Sequence, residues 1–288
     1  MSMPTGIGII DCMIGFMRTD PEMNYAFFRD NIKDEESKNT TFPVEYLFKG
    51  NVPGALPDGL DPVAVTLEQM DLYGIEKGLI GCEDEVSQRA LTQHPDRFIA
   101  STNVDPNDVL GSVRKIKQLK DQFDIRAVGT FPAGCTPQVP ISDAKWYPVY
   151  ATCAELGIPV FICAGIPGPR LPSMCQHVEM LDIICYDFPE LTVVTRHGCQ
   201  PWTELMVKLM LKWPNLHYST SAFAPKHYDQ RIIDYANTRG ADRVIYAGYF
   251  PMGLTLSRIF NDMPHVPFND NVWPKFLRHN AARVLGIS

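Results

Sequence analysis

Short, strand-like apolar runs alternate with stretches of helical period along almost the whole chain. The runs are Ile7–Ile14, Lys77–Cys82, Phe98–Val104, Ile125–Phe131, Pro159–Ala164, Thr192–His197, Leu216–Ser221 and Arg243–Phe250. Several are nearly continuous in apolar residues, the pattern of parallel strands covered on both faces. Helix signals stand between them. Asp61-Pro62 offers an N-cap and an N1 proline, Val63, Leu67 and Met70 follow at helical spacing, and Gly74 closes the segment. Pro106-Asn107 opens a second helix carrying Val109, Val113, Ile116 and Leu119. Ser142 opens a third that ends at Leu156-Gly157, with Pro148 tolerable only near its first turn. Gln200-Pro201 opens another, and a last helix is predicted from Trp273 to Leu285, ending at Gly286.

Eight strands alternating with about as many helices predict a (β/α)8 TIM barrel filling residues 1–288 as one domain. A doubly wound open sheet is the alternative. It is weakened because Asp11-Cys12-Met13-Ile14-Gly15, after the first strand, lacks the glycine spacing of a dinucleotide-binding turn. One stretch breaks the alternation. Residues 17–60 form an excursion after strand 1, too long for an ordinary loop, with charged Lys33–Lys38 and then Pro53, Pro57 and Gly59. A disordered loop would leave Phe27, Phe28, Tyr46, Leu47 and Phe48 in water at a cost. The excursion is therefore expected to lie over the barrel mouth or at a dimer interface.

Composition narrows the function. The chain has 288 residues, 45% hydrophobic and 20% charged, with a net charge of −7 that gives no electrostatic reason to expect nucleic acid or an anionic membrane as partner. Met1 to Gly8 has no basic region followed by an apolar run, and no apolar stretch is long enough to span a bilayer. The eight cysteines are scattered, which reads as reduced thiols in a cytoplasmic protein and not as a disulfide framework.

In a barrel, chemistry collects where strands end. Those ends supply Asp11, Met13 and Gly15; Cys82, Glu83 and Asp84; Asn103 and Asp105; Thr130, Phe131 and Cys135; Cys163; His197 and Cys199; Ser219 and Ser221; and Tyr249. Strand alternation puts His197 on one face with Thr195 and Val193, and Tyr249 with Ala247 and Ile245. Both are expected at the top of the interior, with Arg196 turned towards the helices.

Several segments carry a resemblance. Ile10-Asp11, Gly157-Ile158-Pro159-Val160-Phe161-Ile162, Asp187-Phe188-Pro189, Val193-Val194-Thr195-Arg196-His197-Gly198, Trp213-Pro214-Asn215, Asp242-Arg243-Val244-Ile245-Tyr246 and Asn280-Ala281-Ala282-Arg283-Val284-Leu285 follow one another in family order. In order and spacing the chain resembles the amidohydrolase-related family, in the branch that includes aminocarboxymuconate semialdehyde decarboxylase and related decarboxylases, hydratases and lactone hydrolases. The family's first strand normally ends Asp-x-His-x-His, where this chain has Met13 and Gly15. Its fifth strand normally ends in a histidine, here Cys163, and its eighth in an aspartate, where Ala247-Gly248-Tyr249-Phe250-Pro251 stands. Only the sixth-strand histidine remains, as His197. Zinc needs several converging nitrogen, oxygen or thiolate donors. The resemblance therefore implies a barrel whose metal ligands are largely replaced, and no metal or other cofactor is expected. A soft-metal site built from Cys82, Cys135, Cys163 and Cys199 is a lesser alternative.

Each candidate carries a plainer reading as well. His197 matches the family position that serves as acid or base, and a histidine near neutral pKa suits that work; its plainer reading is a satisfied core histidine that holds the sixth loop. Tyr249 is expected either to donate to a developing oxyanion or to fill the space left by the metal. Cys163 is a candidate nucleophile beside His197, or a filler of a ligand's place. Met13, Cys163, Arg170, Glu83 and Ser221 are taken as substrate-binding, with Arg170 on the Gly165–Arg170 loop as the cation for an anionic substrate. His177 and Trp202 read as packing. The functional expectation is a metal-independent hydrolase or carbon–carbon lyase acting on a small organic acid or carbonyl compound, with a carboxylate as its small-molecule partner. A homodimer is expected from the resemblance and the long first loop. The alternative function is a catalytically inactive barrel that binds a small molecule or a protein.

Overall fold

All eight apolar runs become strands of one parallel sheet, ordered β1 to β8 as in the sequence. In the computed structural model, which describes residues 3–49 and 52–287, these are β1 Ile9–Asp11, β2 Ile75–Gly81, β3 Phe98–Asn103, β4 Ala127–Thr130, β5 Val160–Cys163, β6 Val193–Arg196, β7 Leu216–Ser219 and β8 Val244–Ile245. Most are shorter than the apolar runs because the last residues of each run leave the ladder to enter the loops. The expected TIM-barrel architecture is the observed one.

Two packed layers follow from strand alternation. Ile10, Cys12, Leu79, Ile99, Ala127, Phe161, Val194 and Ile245 meet inside the barrel. Ala281, Val284 and Leu285, from the last helix, pack onto that cluster. The alternate positions, among them Ile9, Ile80, Val128, Val160 and Val193, pack outward with the helices. Burial of both faces is what the near-continuous apolar runs required.

Helix starts follow local capping chemistry more closely than the expected boundaries. The helix Pro62–Leu72 begins as read, with the Asp61 carboxylate accepting from the Val63 amide. The helix Val109–Phe123 is capped by Asp108, whose carboxylate accepts from Gly111, and not opened by Pro106-Asn107. Asp143 caps a short 3-10 turn, Ala144–Trp146, that leads into the helix Tyr147–Glu155, where Pro148 sits in the first turn. Thr203–Lys212 starts just after Gln200-Pro201. The last helix contains a π-turn, Lys275–His279, before Asn280–Leu285, and ends at left-handed Gly286.

Barrel closure is the delicate point, since β8 is only two residues long. Across the seam the Cys12 amide donates to the Tyr246 carbonyl at 3.4 Å, and the Gly15 amide to the Phe250 carbonyl at 2.9 Å. Asp11 supplies the rest. Its Oδ1 accepts from the amides of Gly248, at 2.8 Å, and Met13, at 2.9 Å, so one carboxylate joins the last strand's exit to the first. A Cβ on residue 248 would fall 2.5 Å from Asp11 Oδ2, so only glycine allows this approach.

The described residues of the 17–60 segment pack around Tyr25, Phe28, Ile32, Phe42 and Val44, with short helical turns between Pro21 and Phe48. Their polar ties run to loops that leave four different strands. Arg18 pairs with Asp84 at 2.7 Å, the Asn31 amide donates to the Gly134 carbonyl at 3.3 Å, and the Tyr46 hydroxyl to the Gly168 carbonyl at 2.7 Å. The Tyr25 hydroxyl donates to the Met252 carbonyl.

Asp11 is fully buried, and its Oδ2 has no hydrogen-bond partner among the described residues. Burial outweighs the two amide bonds and raises its pKa to about 7. The folded protein thus holds this proton more tightly than the unfolded chain, and the resulting stabilisation is lost as pH rises from about 4 to about 7. Asp11→Asn mimics the protonated carboxyl. It is expected to gain on the wild type across that window, by up to about 1.4 kcal/mol per pH unit, in urea unfolding. A stability difference independent of pH would contradict the assignment.

Candidate active site

The end of β6 organises the mouth. His197, Gly198 and Cys199 follow the strand with φ of 65°, 86° and 56°, three successive left-handed residues. A non-glycine residue in that region is strained and needs surrounding support. Ser221, just beyond β7, provides it. Its hydroxyl accepts from the His197 main-chain amide at 3.1 Å and lies 3.2 Å from Nδ1 of the same residue. A hydroxyl that accepts from the amide can hand its own proton to Nδ1, which leaves Nε2 carrying the ring proton. On its other side the imidazole meets the Tyr249 ring edge-to-face, with centroids 5.6 Å apart.

Before this bend, the side chains of β6 alternate in the opposite phase to the one expected. Val193 packs outside the barrel, while Val194 belongs to the inner cluster. Arg196 therefore points inward, not towards the helices. Its guanidinium lies over the inner-facing Phe161 ring, 5.1 Å from the centroid, and Cys163 is its neighbour in the β5–β6 register. Gly129 on β4 makes room for it. A Cβ there would fall 2.7 Å from Arg196 Nη1 and 2.1 Å from Asn103 Oδ1, so both polar groups rest where a side chain would otherwise stand. Arg196 Nε has no hydrogen-bond partner among the described residues. Neither Arg196 nor Asn103 was selected from the sequence as a binding residue. The signal for Arg196 was obscured because every neighbour on β6, inward or outward, is buried.

Electrostatics revise two expectations. Burial and the adjacent Arg196 charge hold the His197 imidazole down at about 3, far from the near-neutral value anticipated. Burial raises the Cys163 thiol to about 12, despite some opposing help from Arg196, so it is not a ready nucleophile.

The remaining candidates divide. Met13 turns inward beside the inner cluster, and Tyr249 stacks on Phe48 of the 17–60 segment with centroids 6.3 Å apart. His197, Tyr249 and Ser221 thus meet, and Cys163 stands beside Arg196 on the same wall. Arg170 does not offer a free cation. It pairs with Asp34 at 2.6 Å and Glu36 at 2.8 Å and lies over the Tyr46 ring, fastening residues 17–60. Glu83 is also occupied. One oxygen accepts from the Asn103 amide and the Thr102 hydroxyl, each at 2.8 Å, and the other from the Cys82 amide at 3.0 Å. It orders the ends of β2 and β3. His177 and Trp202 lie against each other with their rings tilted, as packing residues do.

The donor set at the family's metal positions does not suit a hard or borderline divalent ion. Met13 offers a thioether, Gly15 nothing, Cys163 a protonated thiol and Tyr249 a phenol whose pKa burial pushes upward. No group of three His, Cys, Asp or Glu among the described residues converges to hold a metal ion. Cys82, Cys135, Cys163 and Cys199 are buried free thiols, each raised to about 12 by burial.

The His197 assignment has a direct spectroscopic consequence. In 15N-labelled protein without ligand, the His197 ring is expected to remain neutral, with its proton on Nε2, from pH 8 down to about 4.5. A titration midpoint near the usual 6.5 would refute it.

Comparison with known proteins places this geometry in a lineage. The chain is 22% identical to an uncharacterized TIM-barrel protein from Bordetella bronchiseptica, with a TM-score of 0.74 over 97% of this chain and 99% of the other. It is 16% identical to 5-carboxyvanillate decarboxylase from Novosphingobium aromaticivorans, whose structure holds manganese and 3-methoxy-4-hydroxy-5-nitrobenzoic acid; the TM-score is 0.68 over 98% of each chain. It is 14% identical to 2,6-dihydroxybenzoate decarboxylase from Rhizobium, with a TM-score of 0.63 over 97% of this chain and 98% of that one. No curated protein sequence matches. The amidohydrolase family profile matches residues 51–287, most of the length and every strand from β2 to β8, and the chain belongs to that family.

Proposed function

We propose that the protein is a metal-independent amidohydrolase-family enzyme acting on a small organic acid or carbonyl compound, by hydrolysis or carbon–carbon cleavage. The observation that carries this reading is the pairing of His197, fixed on two sides by Ser221, with Tyr249 at the strand ends, where the metal-ligand positions hold Met13, Gly15 and Cys163. The decarboxylases of aromatic acids among the similar structures support the substrate class.

In this reading His197 moves the proton and Tyr249 donates a hydrogen bond to the oxygen that gains charge. Ser221 acts through His197, keeping Nε2 aimed at the reacting atom. Met13 and Cys163 form apolar wall. Held near 3 first by burial and then by the Arg196 charge, the imidazole is a weak base, and an anionic substrate that offsets that charge strengthens it. Residues 17–60 belong to the same domain and cover the mouth, and the exposed Met23, Phe27 and Leu47 on that segment are where a second copy docks in a homodimer. The free, buried thiols suit a cytoplasmic setting. No helix among the described residues is long and apolar enough to cross a membrane.

Chelator-treated protein should be assayed against lactones, β-keto acids, hydroxybenzoates and unsaturated dicarboxylates. Turnover is expected to persist without added metal, and His197→Asn to lower kcat by about 10²-fold or more. Tyr249→Phe is expected to cost about tenfold, since one hydroxyl donor is lost. Activity that vanishes with chelator and returns with manganese or zinc would overturn metal independence, and turnover unchanged in both variants would overturn the site. No turnover on any compound would overturn the enzymatic reading. In light scattering, a single-chain mass would exclude the homodimer.

A further inference from the structure

The inner wall of the mouth carries a cation with no matching anion. Arg196 presents a guanidinium with five N–H donors, and the described contacts are the Phe161 face and the space over Gly129. Its Nε is buried without a partner. Glu83 is the acidic group whose field reaches it, but that carboxylate is held by two main-chain amides, the Thr102 hydroxyl and, at 3.4 Å, Lys115. An unpaired charge on a barrel wall is costly, and a cation–π contact returns only part of that cost. A guanidinium left in that state is matched to an anion that arrives from outside, and its planar fork fits a carboxylate through two parallel hydrogen bonds.

We propose that Arg196 and Asn103, side by side over Gly129, form a carboxylate-binding subsite for a small, flat organic acid, whose apolar body lies against Phe161, Cys163 and Met13. This rests on reading the mouth as the substrate site, and it adds a constraint on the reaction. Asn103, whose Oδ1 rests over the same Gly129 face as Arg196 Nη1, carries in its side-chain amide the second donor for the anion. A carboxylate held this firmly is stabilised in the ground state. Its loss as neutral carbon dioxide would forfeit the ion pair in the transition state and so be slowed. The bound carboxylate is therefore the anchor, and the bond that breaks is elsewhere in the substrate, at a second carboxyl, an ester or a ketone.

The test uses the full-length protein and binding, not turnover. Benzoate, maleate and pyruvate, with neutral benzamide as control, are titrated calorimetrically into wild type, Arg196→Met and Arg196→Lys. At least one carboxylate is expected to bind the wild type ten times or more tighter than Arg196→Met, with Arg196→Lys in between and benzamide indifferent to the change. Because the substitution removes an unpaired charge, Arg196→Met is expected to melt at or above the wild-type temperature. Equal binding to wild type and Arg196→Met, or no carboxylate binding to wild type, would overturn the proposal. Unfolding of Arg196→Met with normal folding of Arg196→Lys and no carboxylate effect on Lys would do the same. Selective binding without turnover would leave this subsite standing and remove the enzymatic reading, whereas turnover without Arg196-dependent binding would do the reverse.

Discussion

The barrel depends on a single buried carboxylate. Seven of its eight junctions are ordinary parallel ladders, but the eighth joins a three-residue strand to a two-residue one and has few main-chain hydrogen bonds to offer. Asp11 bridges that junction by accepting amides from both sides. Such a bridge works only if the carboxylate stays dry, and the cost of keeping it dry is a proton held far above the usual carboxylate range. Its consequences reach the mouth directly. The bond from the Met13 amide bends the chain beyond β1, and the bond from Gly248 fixes the exit of β8 one residue before Tyr249.

A second constraint, the left-handed bend after β6, separates two groups that are adjacent in sequence. Arg196 stays in the ladder and faces the barrel axis, while His197 is swung to Ser221 and Tyr249. Cation and imidazole then serve one mouth from different directions. Burial, with the repulsion between them added, keeps the imidazole neutral. Met13 and Cys163 line the same mouth as this guanidinium, so its fixed positive charge stands among side chains that carry none.

Much of this was legible in the sequence because burial on both faces writes itself as apolar runs, and eight such runs admit few architectures. The strand ends were also legible, which is why His197, Tyr249, Ser221 and Cys163 were found. What failed was direction. On β6 the residues facing the axis and the helices are alike buried, so Val193-Val194-Thr195-Arg196 carries no polar phase from which the facing can be read. The decisive fact is a backbone angle at His197, and no residue type announces it, since histidine rarely adopts that region. Arg170 failed differently. Its partners Asp34 and Glu36 lie some 130 positions away in the segment after β1, and sequence gives no means of pairing such distant charges.

The stack of Phe48 on Tyr249, and the edge-to-face contact of Tyr249 with His197, join the segment after β1 to the imidazole through two aromatic contacts. Lifting that segment would do more than open a passage. It would admit water to the edge of the ring and raise the local dielectric, so the strength of the imidazole as a base and the openness of the mouth are two readings of one coordinate.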